Sequence, residues 1–226
     1  MKYVIQLEKE LRPEIDKILQ HPFLQRIANG ELNFKQLQYF AGQYSIYCYY
    51  FPRFLAGLAA NIPDDKTRMP IIENLWEEHG CGKMNRSHRY LFNKFLSSLD
   101  IEVIAFPDVV PLKETKECVN TLMNLCLHGN FIESLGAMGP GTEFFTNDEY
   151  QIIYDGLSKS SHFHPLDLKF WKVHISLDVE HYSEMVEVLY PYLYDEKNRI
   201  LVKQGAFKAV RMEQLFWDGL EKNIPN

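Results

Sequence analysis

With 226 residues, 46% of them apolar and 24% charged, the chain has the make-up of one globular domain with room for a substantial core. A formal net charge of −6 argues against a nucleic-acid backbone or an anionic membrane as the main partner. No apolar run is long enough to span a bilayer, no signal-peptide pattern precedes Glu8-Lys9-Glu10, and Cys48, Cys81, Cys118 and Cys126 lack Cys-x-x-Cys spacing, so reduced thiols in a cytoplasmic protein are expected.

Nearly all of the sequence reads as helix. Over residues 4–20, Leu7, Leu11, Ile15 and Leu19 recur every fourth position as an amphipathic stripe. His21-Pro22 opens a short helix that stops at Gly30, and Asn33 is a plausible N-cap for a long one reaching to about residue 61. Pro52 lies inside that helix and should kink it, because its ring clashes with the preceding turn and it lacks an N–H. The turn Ile62-Pro63-Asp64-Asp65 leads into a helix over about 66–79, which Gly80-Cys81-Gly82 breaks before another over about 85–98. Residues 100–110 are apolar, but Pro107 and Pro111 and the lack of a partner strand favour an extended connector. Helices are expected at about 112–138, 145–159, 165–191 and 197–222, with Gly129 and Gly139-Pro140-Gly141 leaving either kinks or loops open. The predicted class is all-α: a single-domain bundle of about seven main helices spanning residues 1–226.

One stretch, residues 170–182, carries chemistry. At roughly 100° per residue, His174, Asp178 and His181 fall at about 0°, 40° and −20° on the helical wheel, one narrow stripe of metal-capable side chains. Upstream stand Glu78 and His88, which would lie roughly 15 Å apart on a single straight helix. The intervening glycines permit a reversal that brings both to one centre. Glu143 sits beside a helix break, with Phe144 and Phe145 next to it. Three carboxylates and three imidazoles together suit two divalent transition-metal ions, and cysteine-poor ligands disfavour structural zinc. Glu77 is an alternative to Glu78. His79, His21, His128, His162 and His164 read as surface or helix-end residues, and Cys81 has no acid–base partner beside it in sequence.

The motifs Asn-Leu-x-Glu-Glu-x-Gly-x-Gly-x5-His at 74–88, the isolated Glu143 and His-x3-Asp-x2-His at 174–181 resemble those of the haem-oxygenase-like diiron oxidases. Phe51-Pro52-Arg53-Phe54-Leu55-Ala56 is also similar to that family's kinked core helix. The resemblance implies a seven-helix haem-oxygenase-like bundle and a homodimer. It also implies two iron ions (Fe2+/Fe3+) held by Glu78, His88, Glu143, His174, Asp178 and His181, with O2 as co-substrate. Family members oxidise amino acids or fatty acids by N-oxygenation, C–C cleavage or oxidative rearrangement. In the branch that makes p-aminobenzoate from its own tyrosine, the positions of that tyrosine and of a lysine correspond here to Leu24 and Ile153, which disfavours the self-sacrificing chemistry.

The ligand positions are most similar to the nitrile-forming branch, which converts a brominated tryptophan to an indole-3-carbonitrile. Aromatic supply agrees, with 13 Tyr and 15 Phe in the chain. A tryptophan-like amino acid is therefore the expected small-molecule substrate, with Gln43, Tyr47 and Arg53 anchoring its head group, Phe144 and Tyr182 lining the slot, and Glu143 and Tyr47 as catalytic candidates. A metal-binding or interaction protein without turnover is the competing class. Burying so many charges without a catalytic use would be costly.

Overall fold

The fourfold stripe near the N-terminus folds as an amphipathic helix, α1 (Lys2–Leu19), which buries Leu7, Leu11, Ile15 and Ile18. The structure, a computed structural model, describes residues 2–102 and 109–226, with Asp178 described by its backbone alone. His21 caps α2 (Pro22–Asn29): its ring accepts from the Phe23 amide, and Gly30 ends the helix in the left-handed region at φ 70°. Asn33 and Gln36 form a reciprocal capping box at the start of α3 (Phe34–Asn61), which continues through Pro52. Asp64 caps α4 (Asp65–Glu78) through the Thr67 amide, and Ser87 caps α5 (His88–Ser98) through that of Tyr90.

Most of the suspected connector, residues 103–108, lies outside the described residues. Beyond it the expected helix over 112–138 is divided into α6 (Lys113–His128) and α7 (Phe131–Met138). Gly129 makes the break, where a Cβ would meet the Leu125 carbonyl oxygen at 2.5 Å, and Asn130 caps the restart through Ile132 N. The Gly139-Pro140-Gly141 segment is neither loop nor simple kink. It forms a π-helical turn, Gly139–Glu143, leading without interruption into α8 (Phe144–Leu157). Then follow α9 (Lys169–Leu189), starting four residues later than expected, and α10 (Glu196–Lys222). Among the described residues there is no strand and no helix long and apolar enough to cross a membrane. All four cysteines are unbridged.

The aromatic surplus is mostly core. Phe40 lies between Trp171 and Trp217, with centroids 6.1 Å from each and interplanar angles of 20° and 19°. Tyr44 touches the same group, 5.1 Å from Trp171 and 6.0 Å from Phe92. Such pairs add about 0.5–1.5 kcal/mol each beyond burial. This aromatic centre ties α3, α5, α9 and α10 together and fixes the face of α9 that carries His174.

Candidate metal centre

The reversal between α4 and α5 is built from three successive left-handed residues, Gly80 (φ 66°), Cys81 (φ 52°) and Gly82 (φ 79°). Glycine is required at 80 on two counts: its φ is positive, and a Cβ there would sit 2.5 Å from Ser87 N. The turn returns the chain so closely that Glu78 Oε1 lies 2.8 Å from His88 Nδ1, both side chains buried. From α9, His174 reaches the same point, its ring centroid 4.1 Å from that of His88. One donor atom from each of Glu78, His88 and His174 lies within 4.8 Å of the others.

Glu143 comes in from the π-helical turn, which is seated on α10: a Cβ on Gly141 would meet Ala206 Cα and Ala209 Cβ at 2.8 Å each. The Glu143 side chain is buried, and its Oε1 makes no hydrogen bond, lying 4.0 Å from His181 Nδ1. His181 Nε2 is 2.8 Å from Glu77 Oε2. Glu77, the alternative to Glu78, thus leans outward, its side chain 46% exposed, and orients His181 rather than entering the cluster. The amide of Asn74 is buried beside Glu143, near enough to favour a charge on it, though neither amide atom reaches a partner within 3.5 Å. The Asp178 side chain lies outside the described residues; its backbone is in α9.

The electrostatics divide the cluster. Burial works against a charge on Glu78, but His88, with His174 and His181 beyond it, outweighs burial and holds the carboxyl below its ordinary value. Glu143 goes the other way, raised to about 7, chiefly by burial. His174 is lowered to about 3 by burial and by His88. Its Nδ1 donates to the Phe170 carbonyl at 2.7 Å, which leaves Nε2 as the lone-pair nitrogen. For His181, burial disfavours the charge, but Glu143, Glu77 and Glu78 prevail and raise it. A neutral imidazole with its tautomer fixed, buried carboxyls on separate elements and an orphaned carboxylate oxygen together form a donor set that fits divalent iron. Binding must remove the proton from Glu143. Divalent-metal affinity is therefore expected to rise with pH towards 7, by up to about ten-fold per pH unit for each proton released. Calorimetric Mn(II) titrations across that range check this, and a flat profile would mean that Glu143 gives up no proton.

The cluster opens onto a cavity of ≈ 30 Å³, room for about two water molecules. Tyr47, named from sequence as a contact, lines it together with Glu78, His88, Glu143 and His174. The other expected substrate contacts lie elsewhere. The Gln43 amide is spent on the backbone, donating to Val110 O and accepting from Leu112 N and the Thr115 hydroxyl. Arg53 is exposed, its guanidinium 4.7 Å over the Tyr50 ring. Phe144 and Tyr182 pair with each other at 5.1 Å, and the Tyr182 hydroxyl donates to Glu8 on α1. Phe144 and Tyr182 each follow a candidate ligand in sequence and so point about 100° away from it, and spacing alone cannot tell which helix face meets which neighbour.

Sequence reasoning passed over Glu149 and Glu213, which also line the cavity and are buried. A signal existed. Glu149 occupies the apolar register of Phe145, Ile153 and Leu157 on α8, and Glu213 that of Ala206, Ala209, Val210, Phe216 and Leu220 on α10. A carboxyl inside an apolar stripe is the informative exception.

Residues 38–214 match the model of a protein family described as iron-containing redox enzymes. The 4-chloro-allylglycine synthase of Streptantibioticus cattleyicolor is 25% identical over 211 residues, covering 91% of this chain and 78% of that protein. The 4-aminobenzoate synthase of Nitrosomonas europaea is 25% identical over 217 residues, covering 91% and 86%. Among solved structures, a TenA homologue from Pseudomonas syringae pv. tomato superposes with a TM-score of 0.82 at 13% identity, covering 97% of this chain and 93% of that one. That last likeness establishes the all-α haem-oxygenase-like fold.

Proposed function

This chain belongs to the iron-containing redox enzymes, and from that premise we propose that residues 1–226 are a single-domain non-haem diiron oxidase, using O2 to oxidise an amino acid. The observation that carries the reading is the convergence of Glu78, His88 and His174 to within 4.8 Å, beside the orphaned carboxylate oxygen of Glu143 on the same cavity. Glu78, His88 and His174 would hold one iron; Glu143, Asp178 and His181 would complete the second. When bound, the irons supply the reduction of O2 and the oxidising equivalents. The protein's own part is different. The Phe170 carbonyl fixes the His174 tautomer, Glu77 orients His181, and Phe145, Tyr150 and Phe170 keep water from the cavity wall.

The amino-acid class is supported by the relatives: 4-chloro-allylglycine and 4-aminobenzoate, the products their names state, each carry an amino and a carboxyl group. Leu24 and Ile153 are fully buried apolar residues, which leaves no oxidisable phenol at position 24 for a self-sacrificing reaction. The finer possibility, rearrangement of a brominated tryptophan to an indole-3-carbonitrile, retains the aromatic walls Tyr44, Tyr47 and Phe51 as support. It lacks the Gln43 and Arg53 anchors, and a space of ≈ 30 Å³ would have to widen greatly for a dibrominated indole. Any amino acid requires this space to widen, and an unbranched one undergoing N-oxygenation or C–C cleavage requires less of it than a dibrominated indole.

The test is anaerobic Fe(II) titration followed by an O2 pulse, with amino acids supplied singly. About two irons per chain, a transient visible band and O2 uptake accelerated by one amino acid are expected. No stoichiometric iron and no uptake would leave a helical binding protein instead.

A further inference from the structure

Glu149 on α8 and Glu213 on α10 are 2% and 7% exposed and share the cavity with the metal-ligating cluster. No lysine or arginine forms an ion pair with either among the described residues. Their neighbours are polar tips of aromatic rings. The Tyr44 hydroxyl donates to Glu149 Oε1 at 3.4 Å, and the Tyr47 hydroxyl and the Trp217 indole N–H flank Glu213. Trp217 is fully buried, and its Nε1 closes no hydrogen bond. Both carboxyls are pushed up, Glu213 by burial and Glu149 by burial and then by Glu213 itself. Two buried acids without a fixed cation are a standing cost, which apolar residues in the same registers would remove. A ligand that brings positive charge into the cavity reverses that cost.

Resting on the reading above, we propose that Glu149 and Glu213 form a binding site for a primary ammonium group of the substrate. An ammonium offers three N–H donors, enough to bridge two carboxylates. Arg89 lines the same cavity, 4.5 Å over the Tyr49 ring. The substrate is then an amino acid held by its amine at this part of the wall.

The ammonium could be an α-amino or a side-chain amino group, and four unbranched probes separate the two. L-Lysine carries both, L-norleucine only the α-amine, 6-aminohexanoate only the terminal amine, and hexanoate neither. Calorimetric titration of the anaerobic Fe(II) enzyme is expected to show at least one amine probe binding about ten-fold or more tighter than hexanoate. Glu149→Gln/Glu213→Gln should erase that preference with iron content unchanged, and each single variant should weaken it, which covers failure of the double variant to fold. The proposal is overturned if no amine probe outbinds hexanoate, or if the folded variants keep the preference. Two irons and O2 uptake without amine preference would sink this inference and leave the oxidase reading standing. Amine preference dependent on the pair, in a protein that neither holds iron nor consumes O2, would do the reverse.

Discussion

Glu143→Ala is expected to abolish amino-acid-dependent O2 uptake, by more than about 100-fold, and to lower the iron held per chain. The fold should survive. Glu143 Oε1 makes no hydrogen bond inside the protein, so the substitution breaks little that holds helices together. Its carboxyl is raised to about 7, mainly by burial, and this gives the test its second arm. A carboxyl whose folded pKa exceeds its unfolded one contributes stability that is present below the unfolded value and is lost as pH rises through the folded value. Above pH 7 the wild-type side chain therefore costs the fold up to a few kcal/mol, and Glu143→Gln relieves that cost. Melting of the chelated proteins should show the Gln variant gaining on wild type between about pH 5 and about pH 8. A structural carboxylate would behave oppositely, with the variant melting lower at every pH. Unimpaired O2 uptake in Glu143→Ala would remove Glu143 from the centre.

The legible part of this site was the part written in local spacing. His174 and His181 share a stripe because helix geometry is fixed, and Glu78 with His88 could be paired because Gly80 and Gly82 announce a reversal. Gly80-Cys81-Gly82 then folds at positive φ throughout, and 2.8 Å separates the two side chains. The π-helical turn at Gly139–Glu143 was not legible, because one extra residue per turn leaves no periodic trace and α10, on which it is seated, is distant in sequence. The contacts of Gln43 were not legible for a similar reason. Gln43 was given to a substrate, yet the backbone at Val110 and Leu112 occupies both ends of its amide, a contact across 67 positions of sequence. The side chains that fill the cavity instead, Glu149 and Glu213, violate the apolar register of their own helices. Register violations, more than polar residues in attractive positions, locate this site.

The placement of Glu143 depends on how closely α7 and the π-helical turn approach α10, and Gly205→Ala tests that dependence. A Cβ at position 205 would lie 1.8 Å from the Glu133 carbonyl oxygen and 3.0 Å from Ala137 N. Across the same seam a Cβ on Gly136 would meet the Val202 oxygen at 2.3 Å. These obstacles are backbone atoms on packed helices, so no side chain can swing aside and the helices must separate. Overpacking of this kind costs about 3 kcal/mol or more, a fall in Tm of roughly 6–12 °C for a chain of this size. Gly30→Ala is the control. It has φ 70° with nothing within 4 Å of a Cβ, so it carries only backbone strain of about 1 kcal/mol. Because the turn rides on Ala206 and Ala209, separation at Gly205 also shifts Glu143 away from His181. Gly205→Ala should then lose iron affinity as well as stability, whereas Gly30→Ala should lose stability alone. A Gly205→Ala protein that melts within 2 °C of wild type, a change no larger than about 1 kcal/mol, would mean that the seam yields cheaply and that the position of Glu143 is set elsewhere.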